Sequence, residues 1–214
     1  MDRMDDDGGA GPGPVADETG LRALFGPASE LARLKQLDHL DKHCRNFIAH
    51  SPFLVIGTTR PGQGTDVSPR GDAPGFVRVI DGRTLAIPDR PGNKRIDTLR
   101  NVAENPEVAL IFFVPGVNET LRVNGAASIT TDAALLAGFA VQGKVPQTAM
   151  LVQVREAFLH CAKALIRSRL WEASAQVERS ALPTLGAMIA DQVSGVDAGE
   201  ADRRIDAAYR TALY

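Results

Sequence analysis

Phe76-Val77-Arg78-Val79-Ile80-Asp81-Gly82-Arg83-Thr84-Leu85-Ala86-Ile87-Pro88 is the stretch whose reading decides the fold. Two apolar, partly β-branched runs flank Asp81-Gly82, a pair suited to the positive φ angles of a tight hairpin turn. With Arg83 completing the turn, a β-hairpin is predicted here. Upstream, Phe53-Leu54-Val55-Ile56-Gly57-Thr58-Thr59 reads as a buried strand that stops at Arg60-Pro61-Gly62-Gln63-Gly64. A further strand over residues 65–68 is expected to run into Pro69-Arg70-Gly71-Asp72-Ala73-Pro74-Gly75. The turn formers there exclude a regular ladder and predict an irregular, site-forming loop. Before these strands, Ser29 is placed to cap a helix in which Leu31, Leu34, Leu37, Leu40 and Cys44 recur at helical spacing, ending near His50.

Downstream, residues 93–105 read as a short helix with Ile96, Leu99 and Val102 inward, closed by Asn105-Pro106. Strands are predicted over residues 108–114, 120–130 (with Gly125 at a bulge) and 150–158, and Asp132 is placed to cap a helix over residues 133–139. Beyond Trp171 the chain is Ala-rich and helical, with an apolar stripe at Leu182, Leu185, Met188, Ile189 and Val193 and a second helix over 201–213. Some six strands with few helices indicate a mainly β fold, a barrel with flanking helices at either end, more than an alternating βαβ sheet. The expected organisation is a flexible tail over residues 1–28, a barrel domain over 29–171 and a helical extension over 172–214.

The formal net charge of −2 and pI near 6.1 suggest no general attraction to nucleic acid or to an anionic membrane, so any bound anion must be held locally. Two cysteines, Cys44 and Cys161, and four histidines without ligand spacing give no expectation of a metal site or a disulfide scaffold. The first fourteen residues are acidic and Gly/Pro-rich where a signal peptide would be basic and then apolar. No apolar run approaches the ~20 residues that span a bilayer, and a cytoplasmic location is expected.

Basic residues supply the candidate chemistry. Arg70 sits in the Gly/Pro-rich segment, and Asn93-Lys94-Arg95 follow Pro91-Gly92 at the start of a predicted helix. Free N–H groups and the positive dipole end of such a helix suit a phosphate, although such a pair taken by itself is more often a solvated basic surface. Lys163, among Ala162, Ala164, Leu165 and Ile166, needs either a surface position or an anionic partner. From the residues alone, Cys161 reads as a buried apolar cysteine, His160 as structural and Trp171 as packing.

The succession Asp66-Val67-Ser68-Pro69-Arg70-Gly71-Asp72, Gly75-Phe76-Val77-Arg78-Val79, Ile87-Pro88-Asp89-Arg90-Pro91-Gly92-Asn93-Lys94-Arg95, Glu104-Asn105-Pro106 and Asn118-Glu119-Thr120-Leu121-Arg122-Val123-Asn124-Gly125 resembles the flavin-nucleotide-binding branch of the pyridoxamine 5'-phosphate oxidase-like proteins. The resemblance covers about residues 37–171. It implies a split β-barrel that works as a homodimer, with FMN in the cleft between two protomers. Ser68, Arg70, Lys94 and Arg95 then fall at cofactor-binding positions, the three basic residues at the phosphate. Asn93 stands where the oxidase has a serine. Pro88 and Asp89 replace the family's aromatic-Thr segment beside the ring, so vitamin B6 chemistry is not carried over. Glu119, Thr120 and Arg122 match the strand that reaches the flavin from the second subunit, and Lys163 with Cys161 matches a segment near the cofactor.

The function so implied is an FMN-dependent oxidoreductase acting on a small-molecule substrate or electron donor, the flavin supplying the redox chemistry. Two alternatives stand beside it: a flavin-binding carrier or sensor without turnover, and the same barrel holding haem or a deazaflavin. No dinucleotide-binding glycine fingerprint is present.

Overall fold

A computed structural model describes residues 17–214; the part of the expected tail at residues 1–16 lies outside the described residues. The chain divides into two units, the first ending at Lys35 and the second running from Gln36 to Tyr214. In the first, α1 (Glu18–Phe25) falls within the segment expected as tail, and α2 (Glu30–Leu34) begins at the expected cap, where the Ser29 hydroxyl accepts a hydrogen bond from the Ala32 N–H. The helix expected from Ser29 to His50 is broken. Its second half is α3 (Lys42–His50), because the Asp41 carboxylate accepts from the N–H groups of His43 and Cys44 and starts a new helix. Between the two, Leu37 bridges Ala157 and the Leu40 N–H donates to the Gly82 carbonyl.

Seven strands form one antiparallel sheet: β1 (Phe53–Arg60), β2 (Gly64–Gly71), β3 (Arg78–Val79), β4 (Thr84–Pro88), β5 (Glu107–Phe113), β6 (Thr120–Thr130) and β7 (Ala149–His160). Their order is β2-β1-β5-β6-β7-β4-β3. Burial alternates along β1 at Leu54, Ile56 and Thr58 and along β5 at Val108, Leu110 and Phe112, which defines an inner face. Leu54 and Ile56 of β1 share one core with Leu85 and Ile87 of β4, although three strands lie between them. The sheet therefore curls around its own core, giving the mainly β split barrel with flanking helices that the sequence predicts.

Two local expectations change. β2 continues through Pro69 and Arg70, which were expected in an irregular loop. As an edge strand pairing only with β1 it tolerates a residue without an N–H. The helix expected from residue 93 is α4 (Asp97–Glu104), so Lys94 and Arg95 precede it. Elsewhere β6 carries the bulge at Asn124/Gly125, where a Cβ on Gly125 would collide with the Gln153 carbonyl oxygen. Asp132 caps α5 (Ala133–Ala137), α6 (Lys163–Ser168) follows β7, and α7 (Leu185–Gln192) packs on α8 (Ala198–Thr211) through a Gly186 N–H to Asp202 hydrogen bond of 2.8 Å. Among the described residues no helix is long and apolar enough to cross a membrane.

Candidate functional site

Strand register fixes which face each candidate occupies. Asp66, Ser68 and Arg70 of β2 lie opposite Thr58, Ile56 and Leu54 of β1, so their side chains share the inner face with the core residues. At this sheet edge the inner face is met by α4 and by residues 89–96. Asn101 of α4 donates from Nδ2 to Thr58 Oγ1 at 2.9 Å with both side chains buried, Arg70 acts electrostatically on Asp89, and Asp66 acts on Arg95. The structure thus brings Ser68, Arg70, Asp89 and Arg95 into one neighbourhood, with Asn93 and Lys94 on the same short segment.

Arg70 is only partly satisfied there. One guanidinium nitrogen donates to the Pro69 carbonyl at 2.9 Å, while Nε is buried with no partner. A buried charged donor without an acceptor costs free energy and points to a ligand oxygen. Pro88 is buried at the end of β4, and Asp89, half-buried, follows it with its N–H bonded to the Thr148 carbonyl at 3.0 Å. Burial pushes the Asp89 carboxyl above the usual carboxylate range, and the Arg70 charge opposes that rise.

The segment ahead of α4 is strained. Lys94 (φ 61°) and Ile96 (φ 53°) are both left-handed, and a β-branched residue there is an outlier. Such strain costs about 1–3 kcal/mol per residue and gathers at ligand-binding sites. No side chain caps the first turn of α4. Asn93 Oδ1 accepts from the Arg95 N–H at 3.0 Å, and Arg95 Nε reaches Asp97 at 2.7 Å. The uncapped first turn of α4 leaves main-chain N–H groups without intrahelical partners, which suits an anion, although the Arg95 N–H just ahead of it is already taken by Asn93.

Three residues that the sequence did not single out hold this neighbourhood together. Arg90 Nε donates to Asp72 at 2.7 Å and another of its nitrogens to the Phe139 carbonyl at 2.8 Å; the Asp72 side chain is 3% exposed. Asp72 follows Arg70 by two residues and Arg90 follows Asp89 by one, so this pair ties the end of β2 to the end of β4. Tyr214 completes it, its hydroxyl donating to Asp72 at 2.8 Å and its ring lying under the Arg90 guanidinium. Burial acts to raise the Asp72 carboxyl, but hydrogen bonds from the Ala73 N–H, Tyr214 and Arg90 outweigh it and hold the group below its ordinary value. Only the composition of Gly71-Asp72 and Asp89-Arg90 hinted at this.

The remaining candidates sit elsewhere. Arg122 lies opposite Ile111 and Phe158, on the outer face of the sheet, with its guanidinium 5.1 Å from the Phe158 ring centroid. Thr120 shares that face and is buried, and exposed Glu119 precedes it. Asn124, also on this face, has a buried Oδ1 without a donor. Lys163 opens α6 and is exposed. Cys161 is exposed, contrary to the reading of a buried cysteine, because the chain has left β7 at that point; Cys44 is the buried one. Trp171 Nε1 donates to the Val117 carbonyl at 2.9 Å. β1 and β5 separate β2 from β6, a span of roughly 14 Å at ~4.8 Å per strand, so within the chain the two groups stay apart.

Residues 40–161, more than half of the chain, match the model of the pyridoxamine 5'-phosphate oxidase family. The chain belongs to this family. The match begins at Leu40 and runs past the end of β7, covering both groups of family candidates except Lys163. Among solved structures, the pyridoxamine 5'-phosphate oxidase fold of this chain is similar to HupZ of Group A Streptococcus (18% identity, 56% of this chain and 92% of that one, TM-score 0.45). It is also similar to an FMN-binding protein of Syntrophomonas wolfei (12% identity, 55% and 83%, TM-score 0.44) and to an F420 reductase (20% identity, 54% and 94%, TM-score 0.40). No curated protein matches the chain.

Proposed function

We propose that the chain is an FMN-binding flavoprotein that works as an FMN-dependent oxidoreductase on a small-molecule substrate. The observation that carries this is the buried, unpartnered Arg70 Nε beside the strained 94–96 segment and the uncapped start of α4. These groups fit a phosphate monoester: Arg70, Lys94 and Arg95 supply charge, and Ser68 and the main-chain N–H groups supply neutral donors. Pro88 and Asp89 then border the rest of the cofactor. Bound FMN would supply two-electron redox chemistry; the chain's residues bind it, orient it and set its electrostatic surroundings.

The placement of Glu119, Thr120 and Arg122 on the opposite face of the sheet from Arg70 supports a homodimer. In that assembly this group, with Lys163 beyond the end of β7, would serve the cofactor held by the partner protomer. Asn124 Oδ1 and exposed Phe53 belong to the same outer face, as a self-complementary interface requires. An exposed free thiol at Cys161 fits a reducing, cytoplasmic setting.

The test is to purify the protein without added cofactor, record its visible spectrum and identify any released chromophore by mass. Apoprotein is then titrated with FMN while light scattering reports its mass. The two visible flavin bands, an FMN mass and a dimer are expected. A haem or deazaflavin spectrum would replace the cofactor, and tight FMN binding without reduction by any donor would favour a carrier. A colourless protein that takes up no FMN would overturn the proposal.

A further inference from the structure

Cations at this site are already balanced by the chain's own carboxylates. Arg95 pairs with Asp97 at 2.7 Å and feels Asp66; Arg70 faces Asp89. Arg70 and Arg95 thus meet three acidic groups, Asp66, Asp89 and Asp97, with Lys94 next to Arg95 in the chain and Arg100 also 3.9 Å from Asp97. An incoming phosphate dianion must displace or neutralise carboxylates before it gains the full attraction of the cluster.

Two of the three acids can yield without protonation. The Asp97 side chain is about one-third exposed, and Asp66 accepts a hydrogen bond from the Ser68 hydroxyl at 3.2 Å, so water and a hydroxyl can support both charges. Asp89, half-buried, has no protein donor to its side chain among the described residues; its main-chain N–H is held by Thr148, and neighbouring Arg90 is committed to Asp72 and the Phe139 carbonyl. Arg70, from β2, is the charged group that acts on Asp89; neighbouring Arg90 is engaged by Asp72. A phosphate that takes the free edge of Arg70 removes the counter-charge of Asp89 and sets a dianion beside it. A half-buried carboxylate in that position is stabilised by taking a proton.

Taking the flavin phosphate proposed above as the ligand, we infer that binding of the phosphate monoester at Arg70 is coupled to uptake of one solvent proton by Asp89. The protonated carboxyl then becomes a hydrogen-bond donor toward the ligand, and Asp89 sets the pH dependence of cofactor retention. Its free proton affinity is already raised by burial, and the bound dianion raises it further. Below the free value Asp89 is protonated in both states. Between the free and bound values, affinity falls as pH rises, by up to tenfold per unit. The ligand's own second ionisation near pH ~6 acts in the opposite direction, so a variant lacking the Asp89 titration is the reference.

The experiment is calorimetric titration of the apoprotein with FMN from pH 5 to 8.5, in buffers of different ionisation enthalpy, for the wild type and Asp89→Asn. Relative to the variant, which reports only the ligand's own ionisation, wild type is expected to take up close to one additional proton per site within the window. The ratio of wild-type to variant Kd should start near one at low pH and grow to tenfold or more. A constant ratio with no difference in proton uptake overturns the coupling and leaves the flavin reading intact. No FMN binding by either protein at any pH overturns the flavin reading and this inference with it. The free ligand's own ionisation is measured separately, so a variant that fails to fold still leaves a decisive number: zero wild-type uptake across the window after subtracting the ligand's contribution sinks the inference.

Discussion

Replacing Arg90 with methionine isolates the pair that ties β2 to β4. Methionine keeps much of the aliphatic volume, but it removes the 2.7 Å ion pair with Asp72, the 2.8 Å hydrogen bond to Phe139 and the cation over the Tyr214 ring. Asp72 is 3% exposed and would be left charged and buried, a situation that costs about 3–5 kcal/mol when nothing else supports the group. Here the Ala73 N–H at 2.7 Å and the Tyr214 hydroxyl at 2.8 Å remain, so the low end, about 3 kcal/mol, is expected. For a chain of this length that corresponds to a fall in Tm of about 6–12 °C.

The penalty has a pH signature. In the wild type the folded Asp72 lies below its unfolded value, so its contribution is present above that value and is lost as pH falls through the folded one. Without Arg90, burial is opposed by the Ala73 N–H and the Tyr214 hydroxyl alone and the Asp72 carboxyl rises from its wild-type value, so acidification more readily neutralises the stranded charge. The stability deficit of Arg90→Met should therefore be largest near pH 7 and shrink toward pH 4. Urea unfolding of the apoprotein at both pH values measures it, and Arg90→Met combined with Asp72→Asn should recover part of the loss at pH 7. A deficit below ~1 kcal/mol at pH 7, or a double variant that is simply additive, would refute the buried-pair account.

Other outcomes follow from single contacts. Arg70→Ala should weaken FMN binding by about 10- to 150-fold, the equivalent of a charge-assisted hydrogen bond of ~1.5–3 kcal/mol, and unchanged affinity in a fluorescence titration would remove Arg70 from the site. Gly125→Ala must push a Cβ into the Gln153 carbonyl at the bulge, so a loss of about 1–3 kcal/mol in denaturant unfolding is expected; a neutral result would mean that the bulge is not held. Under native conditions a thiol reagent should modify Cys161 and spare Cys44, whose thiol is buried and pushed up to about 12, and mass spectrometry of the labelled chain would show the reverse if the two environments were misassigned.

Local chemistry carried the sequence reading where it succeeded. Alternation and turn residues located the strands from Phe53 to His160, Asp132 and Ser29 cap helices as their side chains predict, and Gly125 marks a bulge. It failed where competing local signals had to be arbitrated by packing. The Leu31 to Cys44 stripe looked continuous, yet the Asp41 cap divides it, and Pro69 looked like a strand breaker until its strand proved to be an edge. Cys161 sits in an apolar run and was read as buried, but the run ends outside the sheet.

For the site, the order of motifs identified the family and its basic residues, because charge and backbone permissiveness are written residue by residue. Their grouping is a property of register: a partner fixed across the sheet places Arg70 on the inner face and Arg122 on the outer. The Asp72–Arg90–Tyr214 cluster joins positions up to 142 residues apart, and the opposition of Arg70 to Asp89 depends on where β2 and β4 end in space. The sequence alone determined which chemical groups this chain carries and which strands bear them. Only the tertiary structure decided which charges meet and which donor is left without a partner, since burial and distance are set by the curl of the sheet and not by spacing along the chain.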